Sequence, residues 1–190
     1  MPPETPVDRI YKESAQVIRA LEESKEYSLS ISIGDHLRKA LLLAASSYFE
    51  HKVIDCVMNH VRTTSNGSRL VEAFVRNKAV SRQYHTWFNW SESNANHFFG
   101  LFGPDFRSAM TQRVRESAEL SSSVSAFLQV GSERNRLIHE NYATFPFEKT
   151  IEEVYTLYQS GSLFVNALPQ AFKECDSLSD SIGAESGAPN

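Results

Sequence analysis

The chain has 190 residues, 41% of them hydrophobic, and a formal net charge of −4. That is enough for one domain with a real core, but too acidic overall for a protein that coats nucleic acid along its whole surface. No apolar run approaches the roughly 20 residues that span a bilayer, and the acidic, proline-containing start Met1-Pro2-Pro3-Glu4-Thr5 does not read as a secretory signal. Cys56 and Cys175 are the only cysteines and lack the paired spacing of a structural zinc site. They do not make a disulfide framework either, so a reducing cytoplasm is expected, with no metal or other cofactor and no membrane partner.

Residues 5–27 read as an amphipathic helix, with Ile10, Val17, Ile18 and Leu21 at helical spacing. Ser28 to Gly34 alternates Leu29, Ile31 and Ile33, and reads as an extended linker or a short strand, so residues 1–34 are expected to stand as a helix and linker. Asp35 suits the N-cap of the next helix, 36–62, whose Leu41–Ala45 stretch is apolar all round and marks it as central. A more basic helix is expected over 68–80. The segment 81–103 is aromatic and broken, and its Tyr84, Trp87, Phe88, Trp90, Phe98, Phe99 and Phe102 read as short helices and loops packing onto a bundle.

Pro104 suits the first turn of a helix through 116, and 119–142 forms another long helix. Thr150-Ile151-Glu152-Glu153 is a capping-box sequence that opens a last helix, with a break expected at Gly161 and a kink at Pro169. Residues 176–190, rich in Ser, Asp, Gly and Ala, are expected to form a disordered tail. The pattern is all-α throughout. Charge is uneven along it: from Arg62 to Arg115 eight cations face the three anions Glu72, Glu92 and Asp105, so an anionic partner is expected at the middle of the chain.

The long helix over 119–142 carries the run Arg134-Asn135-Arg136-Leu137-Ile138-His139. At 100° per residue Leu120, Val124, Phe127, Gly131 and Ile138 share one stripe, Arg134 projects into it, and Asn135, His139 and Tyr142 line its edge. Gln129, Glu133, Arg136 and Glu140 take the exposed side, with Arg136 and Glu140 spaced for an ion pair. A permanent cation held beside a group that titrates near neutrality suits metal-free phosphodiester cleavage. Gly131 leaves room there for another backbone or a ligand. Glu50, with Leu43, Ser46, Val53, Ile54 and Val57 as helical neighbours, is a carboxylate in an apolar setting and the natural partner of Arg134 or His139. The competing reading of Glu50 and Arg134 is a buried ion pair that only fixes packing.

The Arg134-Asn135-x-x-x-His139 run on a late helix of an all-α bundle resembles the Arg-polar-x3-His signature of the HEPN superfamily. The layout, and the Leu37–Val57 helix with its Tyr48-Phe49-Glu50, is most similar to the RiboL-PSP branch over about residues 36–175. The resemblance implies a HEPN-like helical bundle that acts as a metal-independent endoribonuclease, often in a toxin–antitoxin or antiviral defence system. It further implies a homodimer whose two motif helices build one composite cleft, and an antitoxin or defence-system protein as partner. On that reading His139 moves a proton, Arg134 neutralises the phosphate, Asn135 orients the imidazole or bonds the phosphate, and Glu50 positions Arg134. RNA would lie along Arg76, Lys78 and Arg82, with Tyr84 and Trp87 available to stack on bases; packing is the expected role of Trp87, Trp90, Phe98 and Phe99. The other function class open to this sequence is a non-catalytic HEPN-like binding or adaptor module, for which His139 is dispensable.

Overall fold

A computed structural model describes residues 3–185, with side chains described as far as residue 176. Within them the chain is all-α, with seven α-helices and no strand. They are α1 (Pro6–Glu23), α2 (Tyr27–Thr64), α3 (Arg69–Val75), α4 (Asn96–Gly100), α5 (Pro104–Glu116), α6 (Ala118–His139) and α7 (Ile151–Glu185). A π turn (Arg76–Val80) follows α3, and a 3₁₀ turn (Tyr84–Thr86) lies before α4. Helices α2, α6 and α7 pack together as the centre, and α1 lies against α2 and α7.

Local chemistry sets the helix starts. Thr5 caps α1 in a full capping box: its hydroxyl accepts from the Asp8 amide at 3.2 Å, and the Asp8 carboxylate accepts from the Thr5 amide at 2.7 Å. The same two residues tie α1 to α7, through a Thr5–Tyr158 hydroxyl contact of 2.8 Å and a Tyr155 hydroxyl donating to Asp8 at 2.9 Å. Ser117 caps α6, and Thr150 with Glu153 forms the expected capping box of α7.

Four expectations are corrected. Residues 28–34 are neither linker nor strand: α2 begins at Tyr27, after a tight turn in which Lys25 has φ 62°, so the first helix is an integral part of the bundle. Asp35 therefore lies inside α2, where it pairs with Arg38 and Lys39 instead of capping. The helix expected over 68–80 stops at Val75 and gives way to the π turn. Finally, α7 does not break at Gly161 and remains helical to Glu185, through part of the expected tail; residues 186–190 lie outside the described residues.

Gly161 has a packing role instead. A Cβ there would come within 2.9 Å of Phe49 and 3.1 Å of the Phe127 backbone, so the glycine lets α7 close onto α2 and α6. Beside it the fully buried Ser123 of α6 donates to the Ser160 carbonyl and accepts from the Phe164 amide, both at 2.6 Å. One hydroxyl thus bonds two backbone groups one turn apart on α7 and ties α6 to it at the glycine. The aromatic segment packs inward as expected: Phe88 lies 4.7 Å from Phe98 and 4.9 Å from Phe127, ring centre to ring centre, and Trp87 is buried. Neither cysteine forms a disulfide, and burial pushes the Cys56 thiol up to about 11. Among the described residues no helix is long and apolar enough to cross a membrane.

Candidate functional site

The last two turns of α6 carry Arg134, Asn135 and His139 to the wall of a pocket of about 500 Å³, a size usual for ligand sites. Ser46 and Glu50 of α2 form another part of the wall. The irregular segment after α3 supplies Val80, Arg82, Tyr84, His85 and Trp90, and Gly131 and Ile138 complete it. Three separate parts of the chain therefore converge on one cleft. A larger, shallower groove runs along α5 past Arg107, Ser108, Thr111 and Arg115, but it holds no imidazole and no carboxylate buried beside a cation.

Gly131 sets the depth of the pocket. A Cβ at this position would fall inside the Trp90 indole, so the space that the glycine frees is taken by Trp90, not by a second backbone or a ligand. The Trp90 indole N–H donates to the His85 carbonyl at 2.9 Å, and the Trp87 indole N–H donates to the Ala79 carbonyl at 2.9 Å. Trp90 thereby holds the irregular segment against α6, while Trp87 ties it back to the π turn. Between them Tyr84 is buried among Trp87, Phe88 and Trp90, with ring centres 5.7–5.9 Å apart. Burial pushes its phenol far above the ordinary value; the Glu50 carboxylate adds to the rise and Arg134 opposes it. Tyr84 is thus a neutral wall of the pocket. Its ring is occupied by neighbours and is not available to stack on a base, nor is that of the buried Trp87.

Arg134 is half-buried, and one of its guanidinium N–H groups donates to the side-chain oxygen of the adjacent Asn135 at 3.1 Å. The expected Glu50–Arg134 ion pair does not form: among the described residues no carboxylate makes an ion pair with Arg134, although Glu50 and Arg134 both act on the Tyr84 phenol. Asn135 therefore orients the arginine. His139, one turn beyond Asn135, is exposed at the pocket wall. Leu137, not Ile138, carries the apolar stripe inward: Leu137 is 1% exposed and Ile138 is 46% exposed at the pocket mouth. Arg136 pairs with Glu133 at 3.1 Å instead of with Glu140, and its guanidinium lies over Phe145.

The chain just after His139 is held from α2. Lys39, 2% exposed, pairs with Asp35 at 2.7 Å and donates to the Tyr142 carbonyl at 3.2 Å, while its ammonium lies 5.2 Å from the Tyr142 ring centre. Burial alone would raise the Asp35 carboxyl, but hydrogen bonds from Lys39 and Arg38 and their positive charge bring it below its ordinary value. Phe145 and Phe147, both buried, anchor the following loop. The end of the motif helix is therefore fixed without using any pocket residue.

Of the expected RNA-holding cations, only Arg82 reaches the pocket. It does so from a left-handed backbone (φ 62°), a conformation costly for a residue with a Cβ. Arg76 and Lys78 are exposed on the π turn outside the pocket wall. His85, Trp90 and Lys39 were not among the expected site residues. Lys39 lies two residues before the apolar 41–45 stretch and is buried with it, a cation on an inward face that is itself a signal; His85 lies in an irregular segment where periodicity says nothing.

Among the described residues no group of three or more His, Cys, Asp and Glu side chains is arranged to hold a metal ion. A family model described as RiboL-PSP-HEPN matches residues 8–174, which takes in α1 as well as the central helices. No curated protein and no solved structure matches the chain.

Proposed function

Because the chain belongs to the RiboL-PSP-HEPN family, and HEPN proteins are generally ribonucleases, we propose that it is a metal-independent endoribonuclease working at the Arg134–His139 pocket. One observation carries this reading. A half-buried arginine that forms no ion pair shares a pocket with an exposed histidine and is oriented by the neighbouring amide. A buried charge kept only for packing is normally paired; one left unpaired at a pocket wall suits an anionic ligand.

In the proposed reaction the ribose 2′-oxygen attacks the adjacent phosphorus, with His139 taking part in proton transfer. Arg134 meets the charge that builds on the phosphate oxygens, and Arg82, from the irregular segment, adds a second cation to the pocket wall. The amide nitrogen of Asn135 remains available to a phosphate oxygen while its carbonyl holds Arg134. Glu50 repels an anion and so steers the phosphate toward the two arginines. The products are a 2′,3′-cyclic phosphate and a 5′-hydroxyl. Arg76 and Lys78, outside the pocket, would guide the flanking strand. We place the protein in a toxin–antitoxin or antiviral defence system, as a homodimer restrained by an antitoxin or defence-system partner.

The test is cleavage of an end-labelled mixed-sequence RNA in EDTA. Wild type is expected to leave cyclic-phosphate ends and to spare DNA, which lacks the 2′-hydroxyl. His139→Ala is expected to lose about 10²–10⁴-fold in rate. A folded wild type that cuts no RNA overturns the reading in favour of a binding or adaptor module, and one that cuts RNA and DNA alike contradicts attack by the 2′-hydroxyl.

A further inference from the structure

A strand cut at the pocket must also be held beside the scissile phosphate. Tyr84 and Trp87, the rings expected to stack on bases, are buried. An exposed ring stands a few residues before them. Phe74 of α3 is 67% exposed, more than any other Phe, Tyr or Trp among the described residues, and Leu70, one turn before it on the same face, is 85% exposed. No residue of α3 is buried. Uncovered apolar surface of this kind, rimmed by polar residues, marks a contact site. Its rim is cationic. Arg69, Arg76 and Lys78 are exposed and form no ion pair among the described residues, while the one acid of the helix, Glu72, is neutralised by Arg62 at 3.1 Å.

We propose that Phe74 stacks on an unpaired base of the strand that enters the pocket, with Arg76 and Lys78 on its phosphates, so that the substrate is single-stranded RNA. The inference rests on the RNA-cleavage reading and deepens it by naming the substrate class. Charge and continuity favour this occupant. Helix α3 runs directly into the π turn, whose last residue, Val80, lines the pocket together with Arg82. Six residues separate Phe74 from Val80, a rise of no more than about 9 Å, so a strand leaving the pocket reaches the ring within its next few nucleotides. The backbone that presents the ring is anchored: Val75 packs against the core, Val80 is buried, and the Ala79 carbonyl accepts from the Trp87 indole at 2.9 Å. An unpaired base offers a flat face to the ring and its phosphates to the cations. A duplex keeps its bases stacked on one another and offers shape and phosphates alone. Self-association through this face would bring Arg69, Arg76 and Lys78 against like charges.

The experiment is equilibrium binding of a labelled single-stranded RNA of about 20 nucleotides, longer than a usual single-strand site, across a salt series in a His139→Ala background that spares the RNA. Phe74→Ala should weaken binding at least about fivefold and leave the slope of log K against log salt unchanged, because a stacked base is lost and no charge. Phe74→Leu, equally apolar but without a ring, should bind no better than Phe74→Ala, and Phe74→Trp should bind at least as tightly as the parent. Arg76→Gln with Lys78→Gln should lower the slope by about 1.4, two contacts at about 0.7 each. Phe74→Ala should bind the same sequence as a duplex no less tightly than the parent does, with melting temperature and mass in solution unaltered. The inference is overturned if the parent does not bind the single strand, or if Phe74→Ala or Phe74→Leu binds it as the parent does, which leaves the face to a partner protein. It is also overturned if Phe74→Ala changes the mass in solution, which assigns the face to a second copy, or weakens duplex binding equally. A wild type that cuts nothing while Phe74→Ala still loses single-strand binding contradicts the nuclease reading alone; an active wild type with binding unchanged by Phe74→Ala contradicts this inference alone.

Discussion

Two cations intrude on the packed side of this bundle, and the fold treats them differently. Lys39 of α2 is 2% exposed and fully engaged, with the Asp35 carboxylate at 2.7 Å and the Tyr142 carbonyl at 3.2 Å. Arg134 of α6 is half-buried and holds a single side-chain hydrogen bond, to the neighbouring Asn135. The protein has thus satisfied one cation internally and left the other at a pocket wall without a counter-ion. A charge completed by its own chain serves architecture; a charge left incomplete beside an imidazole is available to a ligand. The two meet only indirectly, since Lys39 fixes the chain three residues beyond His139.

The comparison can be broken most severely at Arg134. Arg134→Met should lower RNA-cleavage kcat by about 10²–10³-fold, the scale seen when one charge-stabilising donor is removed. The melting temperature should hold or rise, because no carboxylate is stranded by the change. A large loss of stability would show that Arg134 is a structural cation after all.

Asp35→Asn acts on the other cation and should reverse the pattern. It strands a buried ammonium, at a cost of about 3 kcal/mol, the low end for broken buried pairs because Asp35 itself is partly exposed. The sign follows from the lowered Asp35 value. Its stabilising contribution is complete above the ordinary carboxylate range and disappears as pH falls through the lowered one. Urea unfolding should therefore separate wild type from Asp35→Asn near neutrality and bring the two together in acid.

Gly131→Ala sharpens the pocket side. The new methyl displaces the Trp90 indole, with an overpacking cost of about 1–3 kcal/mol and a shift in tryptophan emission. Activity should fall further than stability, because Trp90 forms the pocket wall with Arg134 and His139. The smallest effect is expected for Tyr142→Phe. Lys39 uses the backbone carbonyl of that residue, and a phenylalanine ring keeps the contact with its ammonium. Stability and cleavage should both stay within about 0.5 kcal/mol of wild type.

Helical periodicity made the central helices and the Arg134–His139 run legible, because a 3.6-residue pattern carries through 36–62 and 119–142. It failed where a local pattern imitated something else. The alternation at Leu29, Ile31 and Ile33 mimics a strand, yet α2 runs through it with Ser30 buried and Ile31 76% exposed, a case of tertiary packing overriding local propensity. Gly161 resembles a helix break in isolation; only the approach of Phe49 and Phe127 shows that it is a contact point.

The site divides along the same line. Arg134, Asn135 and His139 sit on one helix, where spacing predicts proximity. Strict 100° stepping puts Ile138 inward, but the buried face drifts toward Leu137 and turns Ile138 to the pocket mouth. Glu50 reached the pocket without pairing with Arg134. The contribution of Arg82, Tyr84, His85 and Trp90 depends on how an irregular segment crosses α6, and no period encodes that crossing.

The most direct measurement is the salt dependence of RNA binding in a His139→Ala background, with and without Arg134→Met. If Arg134 is the cation left open for a phosphate, adding Arg134→Met weakens binding and reduces the slope of log K against log salt by about 0.7, one phosphate contact on a single strand. Equal affinities with parallel slopes would contradict the account: Arg134 would then hold no phosphate, and the contrast with Lys39 would carry no functional meaning.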